Sequence, residues 1–395
     1  MKLSEANRLR ILYFLVFCCT ASWLPLFADY LKDHHLSGFR IGLVLSLPPA
    51  MMFIVQPFYG MLADRIGYKR VLMWSSLLAS LTYVFYQFDG GFVYLLTVTI
   101  FMALFYNTLQ PILDSLSLRL SERDPSFSYG TIRIAGAAGW AFTGIVVGHY
   151  IDAINTTIIF IFSSASMLMT FAFSFYLAND TRRTSTSAPF DNVKQVFNNP
   201  LLIFLLSAVV LVSAGATTIW NFYSIYMKEN GASASLVGYG LSFQGLCELP
   251  MFYFSATIIQ RLGIKTTLVI TVLATALRLW LYSVIKDPKI AIAIEVLHGI
   301  SWSLFWVVCV ECVNSLVNED WRATGQSLLY AAYFGAGAIA GNFWTGYLYD
   351  EHLRVSEIFL LNACMVAVVA IVIGLYLKKK KLLIQSATLQ TETDS

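Results

Sequence analysis

Apolar runs long enough to cross a bilayer recur along the whole chain, and this constrains the fold more than any other feature. No water is present in a bilayer core to pair with exposed backbone groups. Spanning segments are therefore helices or closed barrels, and a spanning helix takes roughly 20 apolar residues. Between charged or turn-rich breaks, twelve such runs are found, at 10–31, 39–63, 71–88, 92–118, 130–151, 156–178, 200–226, 235–259, 266–286, 289–316, 324–349 and 356–377. Of the 395 residues 57% are hydrophobic and 12% charged, where a soluble chain carries about 25% charged. The two or three soluble domains that length alone suggests give way to a polytopic all-α membrane protein. The first run leads straight into the spanning pattern without a small-residue cleavage site, so no cleaved leader is expected.

Charge placement orients the runs. With the N-terminus cytoplasmic, the inside loops hold roughly 18 basic residues, among them Arg65, Lys69, Arg70, Arg119, Arg123, Arg182, Arg183, Arg261, Lys265 and Lys378 to Lys381. The outside loops hold about six, Lys32, Arg40, Lys228, Lys286, Lys289 and Arg354. A threefold excess is the positive-inside pattern, and a missed span would have scrambled it. The longest polar break, 179–199, falls at mid-chain. It divides an N-terminal six-helix half (1–178) from a C-terminal six-helix half (200–377), with a cytoplasmic tail at 378–395. Both termini are then cytoplasmic. A net charge of +3, spread over loops, argues against nucleic acid as a partner; the expected partners are the bilayer, a small-molecule substrate and the proton, with the protein monomeric.

The halves repeat. Phe58-Tyr-Gly-Met-Leu-Ala-Asp64-Arg65-Ile-Gly67-Tyr-Lys69 returns 196 residues later as Phe254-Ser-Ala-Thr-Ile-Ile-Gln260-Arg261-Leu-Gly263-Ile-Lys265, and Gly148-His-Tyr-Ile-Asp152 returns as Gly346-Tyr-Leu-Tyr-Asp350. Parallel repeats suit a carrier that rocks about a site at their interface. The first copy, Gly60 to Arg70, resembles the loop signature of the major facilitator superfamily. That resemblance implies a major facilitator fold, and implies that Gly60, Asp64, Arg65, Gly67, Lys69 and Arg70 form a gating loop latching the cytoplasmic side.

Ionisable groups at bilayer depth cost roughly 2.5–3.5 kcal/mol each on insertion scales, so they are paired, water-lining or functional. Asp114, Arg133, Glu248, Arg278, Glu295 and His298 stand inside the runs, and Glu311 lies nearer an end. Helical spacing puts Asn107, Gln110 and Asp114 on one face, Arg133, Ala137 and Trp140 on another, Gln244 with Glu248, and Glu295 with His298. Buried ion pairs that merely fix packing are the bland alternative, but seven such groups with an adjacent indole exceed what packing needs. Other features have structural readings. Cys309 and Cys312 are packing thiols, Gly144/Gly148 and Gly337/Gly341 allow close helix approach, and Pro48, Pro49, Pro57, Pro111 and Pro250 kink spans. His34 and His35 have no third metal ligand. No nucleotide-binding loop is present, so neither ATP drive nor any cofactor is expected, and no nucleophile–base set suggests an enzyme.

Pro111-x-x-Asp114, Tyr129-Gly130-x-x-Arg133, Gly139-Trp140, Arg261-Leu-Gly263-x-Lys265, Arg278 and Leu297-His298 resemble the lactose permease group, over essentially the whole chain. The resemblance implies a proton-coupled symporter. Asp114 and Arg133 would hold substrate hydroxyls, assisted by Asn107 and Gln110, Trp140 would stack on a sugar ring, and His298 would join a proton relay with Arg278. Glu248 agrees better with the phenylpropionate permease branch, which leaves sugar, nucleoside and aromatic acid open as substrates, with sugar favoured. The chain departs from lactose permease in having Glu295 for a Lys, Ser301 for the proton-carrying Glu, no acidic pair near Ser213 and Ala216, and Phe334 for a Lys. Coupling is therefore expected at Glu248 or Glu295, with Glu248 favoured and Glu295 then the partner of Arg278. A proton-antiport exporter and a non-transporting sensor are the competing readings.

Overall fold

In the computed structural model, residues 4–124, 126–127, 129–178, 199–317 and 322–379 are described, and among them every regular element is helical. The linker expected at 179–199, apart from residue 199, and the tail expected at 378–395, apart from 378–379, lie outside the described residues, as does the side chain of Asp64.

The N-terminal helices are α1 (Glu5–Trp23), α2 (Phe27–Asp33), α3 (Gly38–Ile66), α4 (Tyr68–Phe85), α5 (Gly91–Tyr106), α6 (Leu109–Arg123), α7 (Tyr129–Ala153) and α8 (Ile158–Ser174). The C-terminal helices are α9 (Pro200–Glu229), α10 (Ala234–Leu262), α11 (Ile264–Val284), α12 (Pro288–Ile294), α13 (Phe305–Leu316), α14 (Arg322–Tyr330), α15 (Ala338–Asp350) and α16 (Val355–Lys379). Among the described residues, eight stretches are long and apolar enough to cross a membrane: 5–33, 38–55, 91–121, 129–153, 200–229, 264–284, 288–316 and 355–378. The remaining helices are shorter or less apolar. Large side chains such as Trp74, Val93, Tyr253 and Val368 are exposed around the bundle, which suits lipid and would be a liability in water.

Several expected spans are interrupted, each at a local cause. The first bends through a 3₁₀ turn at Leu24–Leu26 that carries Pro25. The fourth breaks at Asn107–Thr108, four residues before Pro111; a proline has no N–H for the carbonyl one turn back. The expected stripe of Asn107, Gln110 and Asp114 is therefore divided between two helices. Asn107 turns aside to donate to the Pro48 carbonyl at 2.7 Å. The tenth passes through a 3₁₀ turn at Glu295–Leu297 and a π-helical segment at Gly299–Leu304, and the eleventh through a π-helical segment at Ala331–Gly337. Such segments concentrate at functional sites.

Where the repeat carries a glycine, the chain needs it. Gly67 ends α3 with φ +95° and Gly263 ends α10 with φ +78°, a region open to glycine without steric cost. Each starts the next helix one residue on, so the repeated Arg-x-Gly segment is a tight reversal at one end of the bundle.

The N- and C-terminal helices meet along α7 with α10, α3 with α15, and α2 with α9. Backbones approach closely there: Gly144 and Gly148 face Gly238, and Gly42 faces Gly346. Pro49 deprives the Leu45 carbonyl of its helical donor, and Asn342 from α15 supplies one at 2.9 Å. Ser242 donates to the Ala141 carbonyl at 2.7 Å. Among the described residues, the hydrogen bonds and ion pairs that join the two sets lie at mid-bundle or at the end away from the chain termini.

Candidate functional site

Two polar clusters stand at mid-bundle, one on each set of helices. In the first, Asp114 on α6 accepts from Tyr13 of α1 at 2.6 Å and Tyr129 of α7 at 3.0 Å, both on Oδ1. Arg133, one turn along α7 from Tyr129, lies over the Phe17 ring at 5.2 Å. Among the described residues no carboxylate stands within ion-pair distance of it. Asp114 and Arg133 face one neighbourhood without bonding each other, so each keeps capacity for an incoming polar group. Tyr330 of α14 lies near enough to act electrostatically on both. Tyr13 and Phe17 were not among the residues expected from sequence; nothing in α1 marks them apart from the adjacent aromatics.

The second cluster is bonded mostly within itself, with Arg278 Nε and Gln244 Oε1 buried without a partner among the described residues. Arg278 of α11 forms a buried ion pair with Glu295, and Tyr282, one turn on, donates to the same carboxylate. Arg278 also reaches Nδ1 of His298 at 2.8 Å. A guanidinium only donates, so Nδ1 accepts and the imidazole proton sits on Nε2. That N–H then donates to Glu248 Oε1 at 2.8 Å. Gln244, one turn before Glu248 on α10, donates to the same Nδ1 at 3.2 Å. The ring orientation and tautomer of His298 are thus set by two donors on one side, and its remaining proton is aimed at Glu248.

The two carboxylates of this cluster differ. The Glu295 side chain is 1% exposed and is held by a cation and a phenol. The Glu248 side chain is 23% exposed and, among the described residues, has only the neutral imidazole as a bonded partner. Arg133 from the N-terminal helices and Arg278 from the C-terminal ones lie near enough to act on it through space. An unpaired guanidinium on one set of helices and a carboxylate without a bonded cation on the other therefore share the mid-bundle space.

An aromatic strip runs beside them. Trp140 of α7 meets Trp220 of α9 edge-on at 6.5 Å, and Trp220 meets both His298 and Trp302 at 5.3 Å. Trp302 continues to Trp306 at 5.7 Å, and Trp306 to Tyr330 at 4.9 Å. Phe334 lies against Trp302, Trp306 and Tyr330. Of these rings only Trp140 was singled out from sequence as a stacking residue. Trp302 and Phe334 stand on the two π-helical segments.

Other expected positions fall elsewhere. Ser301 is buried and donates to the His298 carbonyl at 3.4 Å. Ser213 donates to the Tyr333 carbonyl at 2.6 Å, so the uncharged seventh run leaves no orphan there. Glu311 is exposed on α13, away from both clusters. At the reversal between α3 and α4, Arg65 at the end of α3 and Arg70 in the first turn of α4 are exposed, while Lys69 donates to the Phe175 and Leu177 carbonyls at 2.9 and 2.7 Å. Lys69 thereby caps the end of α8 within the N-terminal helices, which suits a cation at a helix C-terminus. The cysteines are free, and no group of three metal-ligating side chains occurs among the described residues.

A bundle of membrane-spanning helices in two repeat-related sets, with charged groups where the sets meet, defines a secondary-transporter class of architecture. Residues 6–361 match the MFS_1 like family. The chain belongs to that family, and it is a multi-pass membrane protein of the major facilitator superfamily. It is 26% identical to the maltose permease of Geobacillus stearothermophilus over 94% of both chains. It is 25% identical to the sucrose permease of Escherichia coli over 93% of this chain and 92% of that one. The crystal structure of the nucleoside transporter NupG shares the fold, with a TM-score of 0.83 at 18% identity over 94% of this chain and 98% of that one. The bacterial permeases it resembles fit a cytoplasmic (inner) membrane.

Proposed function

We propose that the chain is a proton-coupled uptake transporter for a small polar solute, with a sugar or oligosaccharide as the favoured substrate. It would have twelve spans in two six-helix halves, both termini cytoplasmic, with alternating access between them. The observation that carries this reading is the division of charge at mid-bundle. Among the described residues, Arg133 has no carboxylate partner and Glu248 has no bonded cation, and the two stand on the N-terminal and the C-terminal helices.

The proposed mechanism follows from that division. Substrate hydroxyls bridge Asp114 and Arg133, and Trp140 covers the apolar face of a ring. Glu248 carries the proton, since Glu295 is already committed to Arg278 and Tyr282. When Glu248 is protonated it no longer draws on the Arg133 field, so proton loading and substrate loading are coupled through one shared cation. His298 holds Glu248 in place with a single N–H and stays neutral. Among the described residues, the bonded joins between the halves lie at mid-bundle or at the end away from the termini, which with the positive-inside orientation corresponds to a site facing the cytoplasm.

The aromatic strip favours a second reading of the substrate: a nucleoside, whose planar base would lie along Trp220, Trp302 and Trp306. A thermal-shift screen over sugars, nucleosides and aromatic acids separates the substrates. Uptake into proteoliposomes with and without an inward proton gradient tests the coupling. Accumulation that depends on the gradient is expected; equal uptake in its absence would contradict proton drive.

A further inference from the structure

The repeat noted at Gly148–Asp152 and Gly346–Asp350 plays no part in the polar clusters, yet its geometry is specific. Asp152 stands in the last turn of α7, and Asp350 is the last residue of α15. An acid at that end of its own helix opposes the helix dipole, where a cation is favoured. Each instead serves a helix of the other half. Asp152 accepts from the backbone N–H groups of Ala234 and Ser235, the first two residues of α10, at 2.8 and 2.9 Å. Asp350 accepts from those of Gly38 and Phe39, the first two residues of α3, at 2.5 and 2.8 Å.

The receiving ends are repeated as well. Ser37 and Ser233, again 196 positions apart, are the N-caps of α3 and α10. Each accepts from the third residue of its helix, Arg40 at 3.4 Å and Leu236 at 3.2 Å. Of the first three orphan donors of each helix, the local serine takes one and the distant aspartate takes two. The glycine four residues before each aspartate lets the backbones meet. A Cβ on Gly148 would stand 2.7 Å from the Ala234 carbonyl oxygen, and one on Gly346 would stand 3.0 Å from Gly42 Cα.

We infer that these crossed Asp-to-helix contacts are a pair of equivalent latches that hold the outer side shut, and that they release together as the halves rock. This rests on the two-half, alternating-access reading above. Each latch joins both halves, so a rigid-body opening that breaks one breaks the other. Lys228 on α9, ion-paired with Asp29 on α2, adds a third tie at the same end. The loss of these four helix-end hydrogen bonds and one ion pair is the barrier to opening outward, and substrate or proton binding at mid-bundle must offset it.

The test is amide hydrogen exchange on the full-length protein in detergent or nanodiscs, read at the latch that was not mutated. Asp152→Ala should raise exchange at residues 38–42, where Asp350 and Ser37 are intact, by about tenfold, the scale of losing a helix cap. Asp350→Ala should do the same at 234–238. The double variant should multiply the effects to about a hundredfold at the mid-bundle contacts of Gly42 and Gly238. Asp→Asn variants keep one acceptor and should show a smaller rise in the same reciprocal pattern, which preserves the test if an alanine variant misfolds. A rise confined to the mutated latch would overturn the inference, as would a rise that includes helix 158–174 in the Asn variants, since that is unfolding. None of these readouts depends on substrate or proton coupling, so failure here and failure of the transport assay are distinguishable.

Discussion

The two polar clusters use the same chemistry to opposite ends. In the N-terminal one, Asp114 is held by two phenols and Arg133 rests on a ring, so both charges remain available. In the C-terminal one, Arg278, Glu295, Tyr282 and His298 bond one another, Arg278 Nε alone among their polar atoms being buried without a partner among the described residues, and Glu248 stands at the rim with the imidazole as its bonded neighbour. A cluster held open by neutral donors can receive a solute. A cluster closed by its own ion pair can hold one carboxylate in a defined setting while that carboxylate gains or loses a proton. In the proposed mechanism the first cluster recognises the substrate and the second carries the coupling proton.

Removing the cation from the closed cluster should have the largest effect. Arg278→Ala leaves Glu295 buried without its partner, at a cost of about 3–5 kcal/mol, and should lower the thermal transition sharply and cut the yield of folded protein. Wild-type stability in that variant would mean that the cluster is not the closed unit described. Arg133→Lys replaces a planar fork by a point charge. It should cost about 1.5–3 kcal/mol of substrate affinity, with the fold and insertion unchanged; titration calorimetry with the substrate from the screen checks it, and unaltered affinity would remove Arg133 from the open cluster. Tyr13→Phe and Tyr129→Phe each delete one of the two donors to Asp114. Each should weaken binding by about 1 kcal/mol, while accumulation at saturating substrate persists. Smallest is Trp140: Phe or Tyr should retain transport better than Ala by about 0.5–1.5 kcal/mol in apparent affinity. Equal transport by all three variants would make the indole a packing residue and weaken the sugar reading.

The helical character, the membrane setting and the family were legible from the apolar runs and the Gly60–Arg70 segment, because both depend on local sequence. Placing Asp114, Arg133, Glu248, Arg278, Glu295 and His298 in candidate roles was also possible, because a charge at bilayer depth is conspicuous. What bonds them was not. Tyr13 lies 101 positions from the aspartate it contacts, and no spacing rule within one helix connects them. The clean stripe expected from Asn107 to Asp114 failed where Pro111 removes a hydrogen bond and the helix breaks. The π-helical segments under Trp302 and Phe334 have no sequence signature, so the aromatic strip was invisible beyond Trp140. The Asp152 and Asp350 repeat was visible, but its meaning required the partner helices beside it.

The division of labour is tested most directly by Glu248→Gln, assayed twice in the same proteoliposomes. Exchange of labelled substrate at equal concentrations inside and outside requires only binding and rocking, whereas accumulation under an inward proton gradient requires a group that carries the proton. The account predicts that Glu248→Gln exchanges substrate at a rate within a few fold of wild type and fails to accumulate it. Accumulation at wild-type levels by Glu248→Gln would contradict the assignment and place the coupling proton elsewhere.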